Sequence, residues 1–250
     1  MKYAFAGDRK ISVNILKYLI KKGFKPLYLI VSQGENASHA SELIKISGLS
    51  DENIIYGNSI NSKESIDLFS KEELDYIIGI HFPYIVSKSI LTIPKVGFLN
   101  LHPAYLPYNK GWHTPSWAII DNSHFGATLH FMSEKLDKGD IINQILIKVE
   151  PDDTADSLYK KVLKLEFKVF KESLNQLTSL NPKRQKQERI GSSKKKNDLA
   201  KIQKLDLNET IKTGVLLDKL RALTTSKAEE SAYYIKDDIK YYIQIKINKE

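Results

Sequence analysis

Tyr3-Ala4-Phe5-Ala6-Gly7, followed by Ile11, Ile15, Leu16 and Leu19 and then by Gly23, sets the reading of the chain. Four apolar residues ahead of a glycine read as a short strand. The next apolar positions recur at helical spacing and share one face, and Gly23 suits a helix stop because it tolerates left-handed backbone. A strand feeding a helix at the N-terminus is a β-α unit, and the pattern repeats downstream.

Strands are expected at Leu27 to Val31, near Ile54, and at Tyr76 to Ile80, alternating with helices at Ala40 to Ile46 and Ser62 to Phe69. A helix near Tyr84 to Leu91 precedes a strand at Val96 to Leu101 that Pro103 breaks. Further strands follow at Ala127 to Met132 and Ile141 to Val149. A helix from Thr154 to Leu177, with Asp152 and Asp153 at its positive end, closes this part. The fold class is α/β, a Rossmann-like, mostly parallel sheet with helices on both faces, spanning residues 1–180.

Residues 181–206 read as a basic linker. Between Lys183 and Lys196 seven basic residues, Arg189 among them, stand against Glu188 alone, which accounts for +6 of the net +8. Asn181, Pro182, Gly191, Ser192 and Ser193 punctuate this stretch, and no apolar periodicity runs through it. Residues 207–250 read as a helix from Glu209 to Leu223 and a β-hairpin of Ala232 to Ile235 and Ile239 to Ile247, turning at Asp237-Asp238. So small a module needs a partner surface, and its Tyr- and Ile-rich hairpin points to a homodimer.

The composition, 42% hydrophobic and 27% charged, is that of a globular chain. No apolar run nears the roughly 20 residues that cross a bilayer, so the expectation is a cytoplasmic protein without membrane contact. With no cysteine, thiolate and zinc-thiolate chemistry are excluded. His39, His113, His124 and His130 show no metal-ligand spacing, so no metal is expected. The basic stretch lacks aromatic residues for stacking bases, which argues against a nucleic-acid module.

In Phe98-Leu99-Asn100-Leu101-His102-Pro103, Asn100 and His102 are two apart on a strand and face the same side. They lie at the carboxyl end of the strand, where open α/β sheets bind ligands. An amide donor beside an imidazole suits acyl transfer, one stabilising an oxyanion while the other handles a proton. Alone, the pair equally fits polar residues that end a strand. Leu136-Asp137-Lys138-Gly139-Asp140 reads by itself as a solvated acidic turn. A carboxylate brought to His102 would orient the ring and favour its charged form.

Taken together, Asn100-Leu101-His102-Pro103-Ala104-Tyr105-Leu106-Pro107-Tyr108-Asn109-Lys110-Gly111 and, 37 residues after Asn100, Leu136-Asp137-Lys138-Gly139-Asp140 resemble the signature of the folate-dependent formyltransferase family. Ala6-Gly7-Asp8-Arg9 and Leu220-Arg221-Ala222-Leu223 resemble its first strand-loop and its C-terminal region. The resemblance implies an N-formyltransferase with Asn100, His102 and Asp137 catalytic and 10-formyltetrahydrofolate as cosubstrate. It also implies that Gly79, Ile80, His81, Phe82, Pro83, Tyr84 and Asp140 bind the folate, the loop largely through its backbone. His81 competes for acid-base work, but reads more simply as a wall residue.

Three acceptors come into question: an aminoacylated tRNA, a ribosyl glycinamide and a nucleotide-linked amino sugar. The tRNA enzymes carry a larger C-terminal barrel. The glycinamide enzymes carry a Gly-rich phosphate loop, where Gly7-Asp8-Arg9-Lys10-Ile11-Ser12 has one glycine. The resemblance to nucleotide-sugar N-formyltransferases implies a dTDP-linked acceptor such as dTDP-4-amino-4,6-dideoxyglucose, for lipopolysaccharide O-antigen or other surface polysaccharide. Arg9, Tyr105, Asn109, Lys110, Trp112 and His113 are the candidate substrate-binding residues, supplying aromatic surface and positive charge. Lys110, before Gly111, is expected to be exposed, and Trp117 to be core.

Overall fold

The computed structural model describes residues 1–34, 37–188 and 191–250; Arg189 of the basic stretch lies outside the described residues. The first half alternates strand and helix: β1 (Tyr3–Gly7), α1 (Arg9–Lys21), β2 (Tyr28–Val31), α2 (Ala40–Ser47), β3 (Ile54–Tyr56), α3 (Lys63–Lys71) and β4 (Tyr76–Ile80). There follow α4 (Lys88–Leu91), β5 (Gly97–His102), β6 (Lys110–Gly111), α5 (Thr114–Ile120), β7 (Phe125–Phe131), β8 (Ile141–Ile147) and α6 (Ala155–Thr178). The remainder holds β9 (Ser193–Lys194), α7 (Ala200–Gln203), α8 (Thr213–Ala222), β10 (Ala232–Lys236) and β11 (Ile239–Ile243). Among the described residues no helix is long and apolar enough to cross a membrane.

Seven strands form one mostly parallel sheet in the order β3-β2-β1-β4-β5-β7-β8. β1 and β4 are buried along their whole length, as expected for parallel strands covered on both faces. Their apolar runs are therefore continuous rather than alternating. The chain runs outward from β1 to β3 and then returns to β4, so the order reverses between β1 and β4. Ligands of open α/β sheets bind at such a reversal, beyond the carboxyl ends of the strands. The Asp8 N–H donates to the Ile80 carbonyl across it (3.1 Å).

The described chain forms two compact units. The first comprises Met1–His102, Thr128–Gln144 and Glu166–Glu188. The second comprises Pro103–Ala127, Ile145–Leu165 and the described part of Arg189–Glu250. The chain passes between them after His102, within β7, β8 and α6, and after Glu188. In the first unit, Ala4, Ala6, Ile30, Phe69, Ile77, Ile90 and Phe98 are among the residues of one buried cluster. In the second, Trp117, Leu199, Leu223 and Ala232 form another, so Trp117 is core as expected.

Four expectations change. The helix near Tyr84 shrinks to α4, because Ser87 is its N-cap and accepts from the Ile90 N–H (3.5 Å), leaving residues 84–87 as loop. The tail helix starts at Thr213 rather than Glu209, because Asp206 Oδ1 accepts from the Asn208 N–H (2.9 Å) and holds a turn there. Strand β11 stops at Ile243 rather than Ile247, where the Gln244 side chain turns back to donate to the Thr225 carbonyl (2.8 Å).

The fourth correction is the basic linker, which is not a solvated tether. Gln185 makes a bridge with Ile141, and β9 pairs in parallel with β6. The Lys194 ammonium sits 3.9 Å from the centroid of the Trp117 ring. Such pairing runs through backbone groups and a cation on an indole face, neither of which leaves apolar periodicity in the sequence.

Candidate active site

Asn100 and His102 stand at the carboxyl end of β5, the strand beside β4, with Gly79 opposite Asn100 and Ile80 opposite Leu101. On the other side β7 runs antiparallel and sets His130 directly across from Asn100 and Thr128 across from His102. Cross-strand partners project to the same face, so His130 joins the pair. Asn100 Nδ2 lies 3.2 Å from His130 Nε2, and His130 Nδ1 lies 2.8 Å from the Phe131 carbonyl oxygen. A carbonyl can only accept, which assigns the ring proton to Nδ1 and leaves Nε2 to accept from the Asn100 amide.

The carboxylate arrives from the turn after β7. Asp137 adopts a left-handed backbone (φ 49°) and points between the two imidazoles. Its Oδ2 is 3.6 Å from His102 Nε2 and its Oδ1 is 3.7 Å from His130 Nε2, with all three side chains almost wholly buried. The turn returns tightly on β7: the Phe131 N–H donates to the Asp140 carbonyl (2.9 Å). A Cβ at Gly139 would run into the Phe131 carbonyl oxygen, so glycine is required there. The first unit thus brings together Asn100, His102 and Asp137, and adds His130.

The loop after β4 belongs to the same unit. His81 is left-handed (φ 52°), and its Nε2 lies 2.7 Å from Oε1 of Glu166, a wholly buried residue of α6. The ring that competed for acid-base work is thus turned into the protein. Phe82 packs against the core cluster, and the Tyr84 hydroxyl donates to the Gln33 carbonyl (3.2 Å). Ile85, next in the loop, is 88% exposed. Arg9 opens α1 with a left-handed backbone (φ 64°) and an exposed side chain.

The other candidate binding residues, Tyr105, Asn109, Lys110, Trp112 and His113, all fall in the second unit. Lys110, expected to be exposed, is only 5% exposed: its backbone pairs in β6 with Ser193 of β9. Asn109 is buried, and its Nδ2 donates to Ser123 Oγ (2.9 Å) and the His124 carbonyl (3.3 Å). Tyr105 is half-buried, edge-on to His124. Trp112 is 40% exposed, with the Lys196 ammonium 5.4 Å from its ring centroid. His113, the left-handed residue before α5, has its pKa lowered by burial, against the pull of Glu230 at 3.8 Å.

Sequence reading missed His130, Glu166 and Gln187. His130 sits in the apolar alternation of β7, and its facing Asn100 depends on a strand register that no local pattern encodes. Glu166 carries one signal, a carboxylate on the apolar stripe of α6.

An amide, two imidazoles and a carboxylate thus gather at the end of a strand in an open α/β sheet. Residues 26–174 match the family model described as formyl transferase, and residues 198–249 match the one described as the N-formyltransferase dimerization C-terminal domain. The chain belongs to the formyl transferase family. It is 37% identical over 169 residues to the bifunctional polymyxin resistance protein ArnA of Wigglesworthia glossinidia brevipalpis, covering 65% of this chain and 25% of that protein. It is 32% identical over 199 residues to the methionyl-tRNA formyltransferase of Clostridium tetani, covering 75% and 63%. The chain thus spans less than two thirds of these two relatives.

With the dTDP-4-amino-4,6-dideoxyglucose formyltransferase of Mycobacterium bovis it shares 27% identity over 179 residues, covering 72% of this chain and 76% of that one. Among solved structures, a 4-N formyltransferase from Francisella tularensis superposes with a TM-score of 0.86 at 24% identity, covering 100% of this chain and 98% of the other. An N-formyltransferase from Helicobacter canadensis, solved with folinic acid and dTDP-3-aminofucose, has a TM-score of 0.71 at 22% identity, covering 95% and 85%.

Proposed function

We propose that this protein transfers a formyl group from 10-formyltetrahydrofolate to the amine of a dTDP-linked amino-dideoxy sugar, with Asn100, His102 and Asp137 at the reacting centre. The observation that carries the reading is the gathering of an amide, two imidazoles and a carboxylate at the end of β5. The folate supplies an activated formyl carbon. The loop at 81–85 fits a flat, partly apolar partner, since Ile85 stands free of the core.

The sugar amine, in its neutral form, attacks the formyl carbon, and a C–N bond forms as the C–N bond to the folate breaks. Asn100 Nδ2 has a second hydrogen beyond the one held by His130, available to the oxygen on which negative charge develops. His102 moves the proton from the attacking nitrogen to the departing one, with the Asp137 carboxylate beside the ring. The 3.6 Å between Asp137 and His102 is longer than a hydrogen bond; such contacts tighten when substrate is bound.

Support for a dTDP-sugar acceptor comes from the resemblance to the mycobacterial dTDP-sugar enzyme and from the tail, which matches the dimerization domain of N-formyltransferases. The tail also supports a homodimer: Val215, Leu217, Ile235, Ile239, Tyr241 and Tyr242 are exposed on α8 and the hairpin. A place in surface polysaccharide synthesis accords with that acceptor.

Purified protein with 10-formyltetrahydrofolate is assayed against 3-amino and 4-amino sugars linked to dTDP, UDP and GDP, with methionyl-tRNA and phosphoribosylglycinamide alongside. Turnover of dTDP-4-amino-4,6-dideoxyglucose, abolished in His102→Asn and Asp137→Asn, is expected. Turnover of the tRNA or glycinamide alone, or wild-type rates in both variants, overturns the reading.

A further inference from the structure

Gln187 lies in the basic stretch that sequence reading leaves as a linker, yet it belongs to the first unit and its side chain reaches the turn at 137–139. Its single amide nitrogen donates to two backbone carbonyls of the turn that carries the carboxylate, Asp137 at 2.9 Å and Gly139 at 2.8 Å. An amide NH2 has two hydrogens, so both bonds form together. Two residues upstream, Gln185 exchanges both backbone hydrogen bonds with Ile141, just beyond the turn (2.8 and 2.9 Å). The backbone leading into Gln187 is thereby fixed to the strand that the turn enters.

Two features of the turn call for such a hold. Asp137 is left-handed, a conformation that a residue with a side chain keeps only where its surroundings over-determine it. Gly139 has no room for a side chain, since a Cβ there would run into the Phe131 carbonyl oxygen, so the turn tolerates no other residue at that point. Gln187 satisfies both carbonyls with one group, although its Oε1 is buried with no hydrogen-bond partner among the described residues. A buried acceptor left unsatisfied is destabilising, so the side chain is held by what its nitrogen does.

We infer that Gln187 is a positioning residue for the transfer reaction: it acts through Asp137, clamping the turn at 137–139 so that the carboxylate stays between His102 and His130. It touches neither substrate. This rests on the reading of Asp137 under Proposed function. Leucine at 187 keeps the bulk and removes both donors; asparagine keeps the donors but, one methylene shorter, withdraws them from the two carbonyls.

The test uses the full chain with 10-formyltetrahydrofolate and the amino sugar that the acceptor panel identifies. For Gln187→Leu, kcat falls about 10- to 100-fold, the cost of misplacing a catalytic group by about an ångström. The KM of each substrate changes by less than about twofold, since uniform binding is untouched. In carbon-edited proton NMR of the unliganded protein, the ring resonances of His102 and His130 move and that of the surface His39 does not. Where Gln187→Leu does not fold, Gln187→Asn decides by the same readings. Unchanged kcat, or a lower kcat with unmoved His102 and His130 resonances, overturns the inference. Asp137→Asn is run beside it: if that variant retains wild-type turnover, the assignment of Asp137 fails instead.

Discussion

Asn100 and His130 face each other across β5 and β7, in register, with the amide nitrogen of one 3.2 Å from Nε2 of the other. Because His130 Nδ1 is committed to the Phe131 carbonyl, the ring presents a fixed acceptor to Asn100. An asparagine amide can turn over and offer oxygen where nitrogen is needed; here that choice is made by the neighbouring strand.

It follows that His130→Leu lowers kcat by about 10- to 100-fold, because the Asn100 amide loses its orientation while remaining present. Steady-state kinetics check this, with Asn100→Ala for comparison. The two losses should not add in the double variant, since both act on one group. Fully additive losses would show that His130 works independently of Asn100.

His81→Leu should destabilise the fold by about 3–5 kcal/mol, because it strands the buried Glu166 carboxylate without the imidazole 2.7 Å away. Denaturant unfolding measures it. Replacing both partners, in His81→Leu with Glu166→Leu, should recover much of the loss, since a well-packed apolar pair carries no desolvation penalty. A double variant as unstable as the single one would show that the loss arises from the left-handed loop rather than from the charge.

Asp153, before α6, gives a pH dependence of known sign. Burial alone would raise its pKa, but hydrogen bonds from the Lys161 ammonium, the Glu150 N–H and the Ser157 hydroxyl outweigh it and hold the carboxyl below the usual aspartate range. The folded value is thus depressed relative to the unfolded one of about 3.9. Its contribution to stability is complete above that pH and is lost as pH falls through the folded value. Wild type and Asp153→Asn should differ in unfolding free energy at pH 7 and converge on acidification. A constant gap across the range would remove Asp153 as the cause.

How much of this was legible in the sequence differs by kind of interaction. The β-α alternation was, because buried parallel strands and one-sided helices write themselves as runs and stripes. Asn100 and His102 were, because the two-residue repeat of a strand is local. Their junction with Asp137 came through a family resemblance, and His130 and Gln187 did not come through at all. The contacts of these two depend on strand register and on a chain segment returning from about 50 residues away. Lys110 was misread for a related reason: a lysine beside a glycine signals solvent, yet it is buried in β6, which pairs with the returning β9.

The exposed residues of the hairpin carry the last prediction. Tyr241 stacks on Tyr234 with centroids 5.1 Å apart, on a hairpin whose two-residue turn, Asp237-Asp238, is left-handed at both positions. Sedimentation of the intact chain at micromolar concentration should show a dimer, and Ile235→Lys with Tyr242→Lys should shift it to monomer by placing charge in an apolar contact. A monomeric wild type would refute it.

The interleaving of the two units has a practical corollary for anyone recombining this chain with its relatives. The tail matched at 198–249 leaves behind Trp117, around which Leu199, Leu223 and Ala232 pack, and which lies some eighty residues upstream. A graft of the tail alone would hand the recipient a half-built hydrophobic socket. Crossovers that carry residues 103–127 and 145–165 together with the tail keep the socket whole, so the unit of exchange is three separated stretches of gene rather than one.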